Sequence, residues 1–295
     1  MSTTTLGRRA SASSAGTTGV NFFRVLNSES IKFRTLMSTK LLLVLTFVAI
    51  VGVGFLSALV RWNFINAMAT GPEGHAQTPQ QAVESFPPGS GFELYNLPNA
   101  GLNIGVLIMG SLAVLFMASE FATGMIRSTI NAAPDRLSTF AAKAAVLVIV
   151  SYVLSIVGGV VTFLLASPMF ANFNLGLGWN TNGVLYSVLT GGLYVSGVAL
   201  IGLSLGTLLK NPAGGITILV GIMFVLPFAG QFLGFAPGEF WKYVPQYLPS
   251  EAGGRFLAIG HVDGVLDPWA GGLVFLGYVI LFAVPALIAL KKRDV

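Results

Sequence analysis

The sequence predicts an all-α polytopic membrane protein. It should have six transmembrane helices, an N-terminal amphipathic helix on the membrane surface, and a short helix between spans two and three. Three observations predict this class. Apolar residues gather into six runs near twenty residues long, enough to cross a bilayer. Only 9% of the 295 residues are charged, against roughly 25% in a soluble domain. The basic residues crowd into alternate connections, as they do when a chain crosses a membrane repeatedly.

The elements follow in order. Residues 1–21 are rich in Ser, Thr, Gly and Ala, with Arg8 and Arg9. They lack an apolar core with a small-residue cleavage site and read as a disordered tail rather than a signal peptide. The membrane domain then occupies residues 22–295. Phe22 to Met37 reads as an amphipathic helix, with Phe22, Leu26, Phe33 and Met37 on one face and Arg24, Lys32 and Arg34 away from it. Such a helix lies along the inner membrane surface. Glu29 falls inside the apolar stripe. Either it snorkels to water, or it meets a cytoplasmic partner or a basic residue.

The spans are drawn at about 41–60, 101–118, 144–165, 184–209, 213–235 and 269–290. Arg61 and Trp62 close the first. The proline-rich stretch from Asn63 to Ala100 reads as an external loop with little regular structure. Lys210-Asn211-Pro212 makes a tight turn between spans four and five. Residues 236–268 form a longer external loop carrying Trp241, Tyr243 and Tyr247, aromatics suited to a membrane interface. Lys291, Lys292 and Arg293 close the last span.

Six spans put both termini on one side, and the charges decide which. The termini, the 119–143 stretch and the 210 turn hold 13 of the Lys and Arg residues, while Arg61, Lys242 and Arg255 are the 3 on the other side. That bias predicts cytoplasmic termini.

The composition also excludes function classes. There is no cysteine, so disulfides and thiolate metal sites are unavailable. No basic patch interleaved with aromatics suggests nucleic acid. His75 and His261 are both external, and the His261–Asp263 run is a weak basis for a metal site. No Ser, His or carboxylate set sits at membrane depth, so no catalytic residue is assigned and an enzyme is not expected. No span as drawn holds an ionisable residue in its interior, which argues against proton coupling. No G-x-x-x-x-G-K-[ST] phosphate loop occurs, so the chain itself should not hydrolyse ATP. Gly202-x-x-x-Gly206 and Gly230-x-x-x-Gly234 permit close helix contact, within one subunit or across a dimer seam.

The most informative stretch is Ser119 to Lys143. Read as a helix from Phe121, it has an apolar stripe of Phe121, Ala122, Met125, Ile126, Thr129, Ile130 and Ala133. Thr123, Arg127 and Asn131 form a polar row at i, i+4, i+8. Ser119 is placed to cap the helix and Glu120 to favour its positive start. Pro134 stops it. A two-faced helix between spans has the shape of a lever, or of a plain surface helix anchoring a loop.

The run S-E-F-x-x-G-M-I-R-x-x-I-x-x-x-P-x-R, followed by Lys143, resembles the signature between spans two and three of ABC type-2 permeases, the membrane subunits of ABC exporters. That family typically reads E-[FY]-x-x-G-T-[IL]-R, then a proline and a basic residue. Glu120, Phe121, Gly124, Ile126, Arg127, Pro134 and Arg136 match, and Met125 stands where Thr is usual. Ser28-Glu29-x-x-Lys32-Phe33-Arg34-Thr35-Leu36 is similar to the pre-span motif of actinobacterial members. Tyr247-Leu248-Pro249-Ser250-x-Ala252-Gly253 resembles their loop before the last span.

The resemblance implies a bacterial plasma-membrane exporter permease, paired with a second copy or a related permease. Two separately encoded cytoplasmic ATPase subunits would serve it, and those subunits, not this chain, would hold ATP and Mg²⁺. Residues 121–131 would be the coupling helix. Residues 22–37, with Glu29, Lys32 and Arg34, would be the connecting helix. The 236–268 loop would partly re-enter the membrane. Substrate would pass along spans two and five, where Asn103, Met109, Phe116, Phe224, Phe228 and Gln231 are candidates chosen by element and side-chain type. Apolar, glycine-rich spans suit a lipophilic or amphipathic cargo. Two other readings stay open: a scaffold or sensor subunit that moves nothing, and an ATP-independent carrier.

Overall fold

A computed structural model of the chain describes residues 21–71, 77–85, 93–125, 136–175, 177–181, 183–235 and 237–292. Among these residues, six helical segments are long and apolar enough to cross a membrane, which makes this a multi-pass membrane protein.

Helix α1 spans Phe22–Thr35 and ends because Leu36 takes an extended conformation. Helix α2, Met37–Ala69, starts directly after it. Met37 therefore belongs to the first span and is exposed, not to the α1 stripe. The buried face of α1 is Val25, Glu29 and Phe33. It is rotated from the predicted stripe because Glu29 is drawn inward by a cation.

At 33 residues, α2 is roughly 50 Å long, well beyond the ~30 Å hydrocarbon core. Arg61 does not end it, contrary to the span limits drawn from sequence. The side chain is 2% exposed, and its Nη1 donates to the Glu93 carbonyl at 3.4 Å.

The described parts of the 63–100 stretch hold more regular structure than its prolines suggest. Helix α3, Pro79–Glu84, carries a capping box: Thr78 Oγ1 accepts from the Gln81 N–H, and Gln81 Oε1 accepts from the Thr78 N–H. A 3₁₀ segment, Leu94–Asn99, leads into the second span. Leu94, Leu97, Phe163, Phe170 and Val184 join Ile65 in a second core outside the main one.

Helix α4 is Leu102–Ala122 and α5 is Arg136–Ala166. Both overrun their apolar runs, so Glu120 and Lys143 fall inside helices. Three buried charged residues, Arg61, Glu120 and Lys143, thus lie in helices at positions that the shorter spans would have left outside. Ser119 caps no helix start. It sits in the last turn of α4, with its Oγ donating to the Leu115 carbonyl at 2.6 Å.

Helix α6, Val184–Leu209, is buried along most of its length and packs on α4, α5 and its neighbours on either side. Lys210, at φ 54°, closes it. Asn211 then caps α7, Pro212–Val220, by accepting from the Gly214 N–H. The fifth span continues through a π-helical turn, Gly221–Val225, into Leu226–Gln231, and a 3₁₀ turn, Phe232–Phe235, carries it to the predicted end. Pro227 lacks the N–H that would continue the α pattern there, and the ladder widens to i→i−5 just before it. Helix α8, Pro249–Phe256, packs on α9, Pro268–Lys292, the sixth span.

In lipid, apolar surface alone gives helices little reason to associate, so close backbone packing matters. A Cβ at Gly202 would collide with the Gly110 carbonyl oxygen, and one at Gly206 would lie 2.7 Å from that of Val114. This glycine pair serves the α4–α6 contact within one chain. Gly230 faces Leu248 of the same chain.

Candidate functional site

The end of the fold that holds Lys32, Lys143, Lys210 and Lys292 is called here the basic end. At that end four charges alternate in a closed square. Lys143 Nζ lies 2.6 Å from Glu29 Oε2 and 2.7 Å from Glu120 Oε1. Lys32 Nζ lies 2.9 Å from Glu29 Oε1 and 3.1 Å from Glu120 Oε1. The Lys143 side chain is wholly buried, Glu29 is 1% exposed, and Lys32 reaches solvent. Burial opposes charge on Lys32. The hydrogen bond that Lys32 donates to Glu29 and the charges of Glu120 and Glu29 outweigh it and hold the ammonium above its ordinary value.

Aromatic rings floor the square. Lys143 Nζ stands 4.2 Å from the centre of the Phe116 ring, and Phe33 meets Phe116 edge-on at 5.2 Å. The square therefore ties α1, the last turn of α4 and the second turn of α5 into one joint. Of the two readings left open for Glu29, pairing with a basic residue is the one realised. Its partners are Lys32, at i+3 on the same helix, and Lys143, and no spacing rule in the sequence links positions 29 and 143.

The other residues predicted for this region are dispersed. Phe121 is part-buried, with Lys210 Nζ 5.1 Å from its ring centre. It belongs to the last turn of α4 and starts no new helix. Thr123 ends α4, and Gly124 follows at φ +71°, a conformation that favours glycine. Arg136 opens α5, and its Nη1 donates to the Leu290 carbonyl at 3.3 Å. Arg34 is exposed. Ile126, Arg127 and Pro134 lie outside the described residues, as does most of the 121–131 helix.

At the opposite end lies a cavity of about 480 Å³ between α2, α4, the 221–231 part of the fifth span and α8, with Tyr194 of α6 also in its wall. Four of the six predicted path residues line it: Asn103, Phe224, Phe228 and Gln231. Met109 and Phe116 do not, being buried in the main core. The lining is mixed. Val106, Met223 and the phenylalanines are apolar, while Arg61, Asn96, Asn99, Glu251 and Arg255 are polar. Met223 and Phe224 come from the π-helical turn, a feature that often accompanies functional sites.

Buried hydrogen bonds stiffen the polar wall. Asn99 Nδ2 donates to Asn96 Oδ1 at 3.1 Å and to the Ser187 carbonyl at 2.8 Å. Arg255 Nε donates to the Leu266 carbonyl at 2.8 Å, while Nη1 and Nη2 find no acceptor among the described residues. Burial of Glu251 raises its carboxyl above the ordinary value. Sequence reasoning missed Arg61, Arg255 and both buried asparagines, since a residue in an apparent loop gives no sign that it faces a cavity.

His261 is exposed, with Nδ1 2.6 Å from Asp267 Oδ1 and Nε2 3.3 Å from Asp263 Oδ1. Both ring nitrogens thus face carboxylates.

No protein-family model matches this chain, and no curated protein matches it.

Proposed function

We propose that this chain is the permease subunit of an ATP-driven exporter, with its termini in the cytoplasm of a bacterial cell. A second copy or a related permease completes the pathway. Two separate ATPase subunits, of the kind that serve ABC type-2 permeases, dock at the basic end. ATP and Mg²⁺ act in those subunits and supply the energy of hydrolysis.

The observation that carries this reading is the four-charge joint. It fixes α1 to the two helices that bracket residues 123–135, so a push on that segment or on α1 is delivered to spans two and three together. Span two then reaches from Glu120 in the joint to Asn103 in the cavity wall, seventeen residues or roughly 25 Å along one helix. A rigid rod linking an input end to a cavity is what alternating access requires. The mixed cavity lining suits an amphipathic cargo.

Arg127→Glu tests the coupling assignment. The variant should reach the membrane and fold, yet lose transport-coupled ATP hydrolysis or ATPase binding. Normal binding with normal coupled hydrolysis would remove residues 121–131 from the mechanism.

A further inference from the structure

A second cavity, of about 530 Å³, opens between α1, α2 and α5 at the basic end. Its walls are aliphatic and aromatic: Leu26 and Phe33 from α1, Leu43 from α2, and Val146 and Val150 from α5. Arg34 and Lys40 line it too. Both are exposed, and neither has a hydrogen bond or ion pair among the described residues. Ser30 also lines it, but its hydroxyl already donates to the Leu26 carbonyl at 2.8 Å.

We propose that this groove holds an anionic phospholipid, with its phosphate on Arg34 and Lys40 and an acyl chain against Phe33, Leu43 and Val150. Two cations beside an apolar trough match a negative head on a hydrocarbon tail. A docked peptide fits less well. Its N–H and C=O groups would be buried against a wall whose hydroxyl is already bonded, and each unpaired group is costly. An acyl chain needs no partners.

The position gives the lipid a consequence. Phe33 lines the groove with one part of its surface and meets Phe116 with another, and Phe116 lies under Lys143. A chain in the groove therefore braces the four-charge joint from the membrane side. The site requires only that the chain sits in a bilayer, so it stands or falls separately from the exporter reading.

The test is native mass spectrometry of the full chain, purified in detergent and titrated with phosphatidylglycerol, phosphatidylcholine or glycerol phosphate. Wild type should retain phosphatidylglycerol over phosphatidylcholine and should not retain glycerol phosphate. In Arg34→Gln/Lys40→Gln that preference should fall by up to roughly thirtyfold, since each juxtamembrane cation contributes about a fivefold effect. Both side chains are exposed and have no ion pair among the described residues, so the double variant should fold, as circular dichroism can verify. A second variant, Ile149→Trp, narrows the groove without touching the rim and should also release the lipid. Equal retention of the two lipids by wild type would overturn the proposal. So would full retention by both variants, retention of glycerol phosphate alone, or displacement of the lipid by an acidic peptide.

Discussion

Lys143 is the residue on which the basic end turns. It is fully buried and meets two carboxylates. Removing one member of a buried ion-pair group leaves charge without compensation and typically costs about 3–5 kcal/mol. Lys143→Met should lower the unfolding midpoint in detergent by a corresponding amount. Adding Glu29→Gln should recover part of the loss, because one stranded carboxylate is then neutral. If the single variant melts like wild type, the square contributes nothing to the joint. Glu29 was half legible in the sequence: a carboxylate in an apolar stripe demanded a partner. Lys32 at i+3 was a legible partner, but Lys143 was hidden, because that pairing is set by how α1 lies across α5.

His261 makes a prediction of the opposite kind, at an exposed site. Its hydrogen bond to Asp267, with that residue's charge, raises the imidazole above 6.5. The favourable contact is complete below the unfolded value of about 6.5 and is lost as pH rises through the higher folded value. NMR titration of a His75→Gln variant, which leaves His261 as the remaining histidine, should show an apparent pKa above 6.5. Asp267→Asn should bring it down. A value unchanged by Asp267→Asn would show that the contact does not form in solution.

Among the elements, the α4–α6 contact depends on absent side chains. Gly202 and Gly206 let the carbonyls of Gly110 and Val114 approach α6. Gly202→Val must push backbone rather than a flexible side chain, so it should destabilise by at least the ~1–3 kcal/mol of ordinary overpacking. Thermal unfolding in micelles checks this, with Gly277→Val on α9 as a control, since nothing lies within 4 Å of the site. The glycine spacing was plain in the sequence, but whether it served one chain or two was not.

Helix lengths were legible only as apolar runs. Helices end where the backbone turns, as at Leu36, Gly124 and Lys210, not where the first charge appears. Arg61 and Lys143 were therefore placed outside helices that contain them. The capping box of α3 was readable as Thr78-Pro79-Gln80-Gln81 and was obscured by the prolines around it. The π-helical turn had one sequence signal, Pro227, which marks where the hydrogen-bond ladder must change without saying how.

At the scale of the molecule, six crossings could be read directly from composition. The cavity at the far end could not. Its wall draws on Ser57, Asn103, Phe224 and Arg255, which meet only once five helices are packed. Four path candidates reached it because spans two and five were chosen as elements, and side-chain type then selected residues at the correct end. Met109 and Phe116 lie further along the same span, where α6 closes over it.

Span two joins the basic end to that cavity, and its proposed role as a lever requires a partner that supplies the input. The direct measurement is affinity purification of the intact chain in mild detergent, with mass-spectrometric identification and counting of every partner. The account predicts two ATPase subunits with phosphate-binding loops, released together by Arg127→Glu while the permease pair stays assembled. Purification of the chain with no ATPase, together with substrate movement by the chain alone in vesicles, would contradict it.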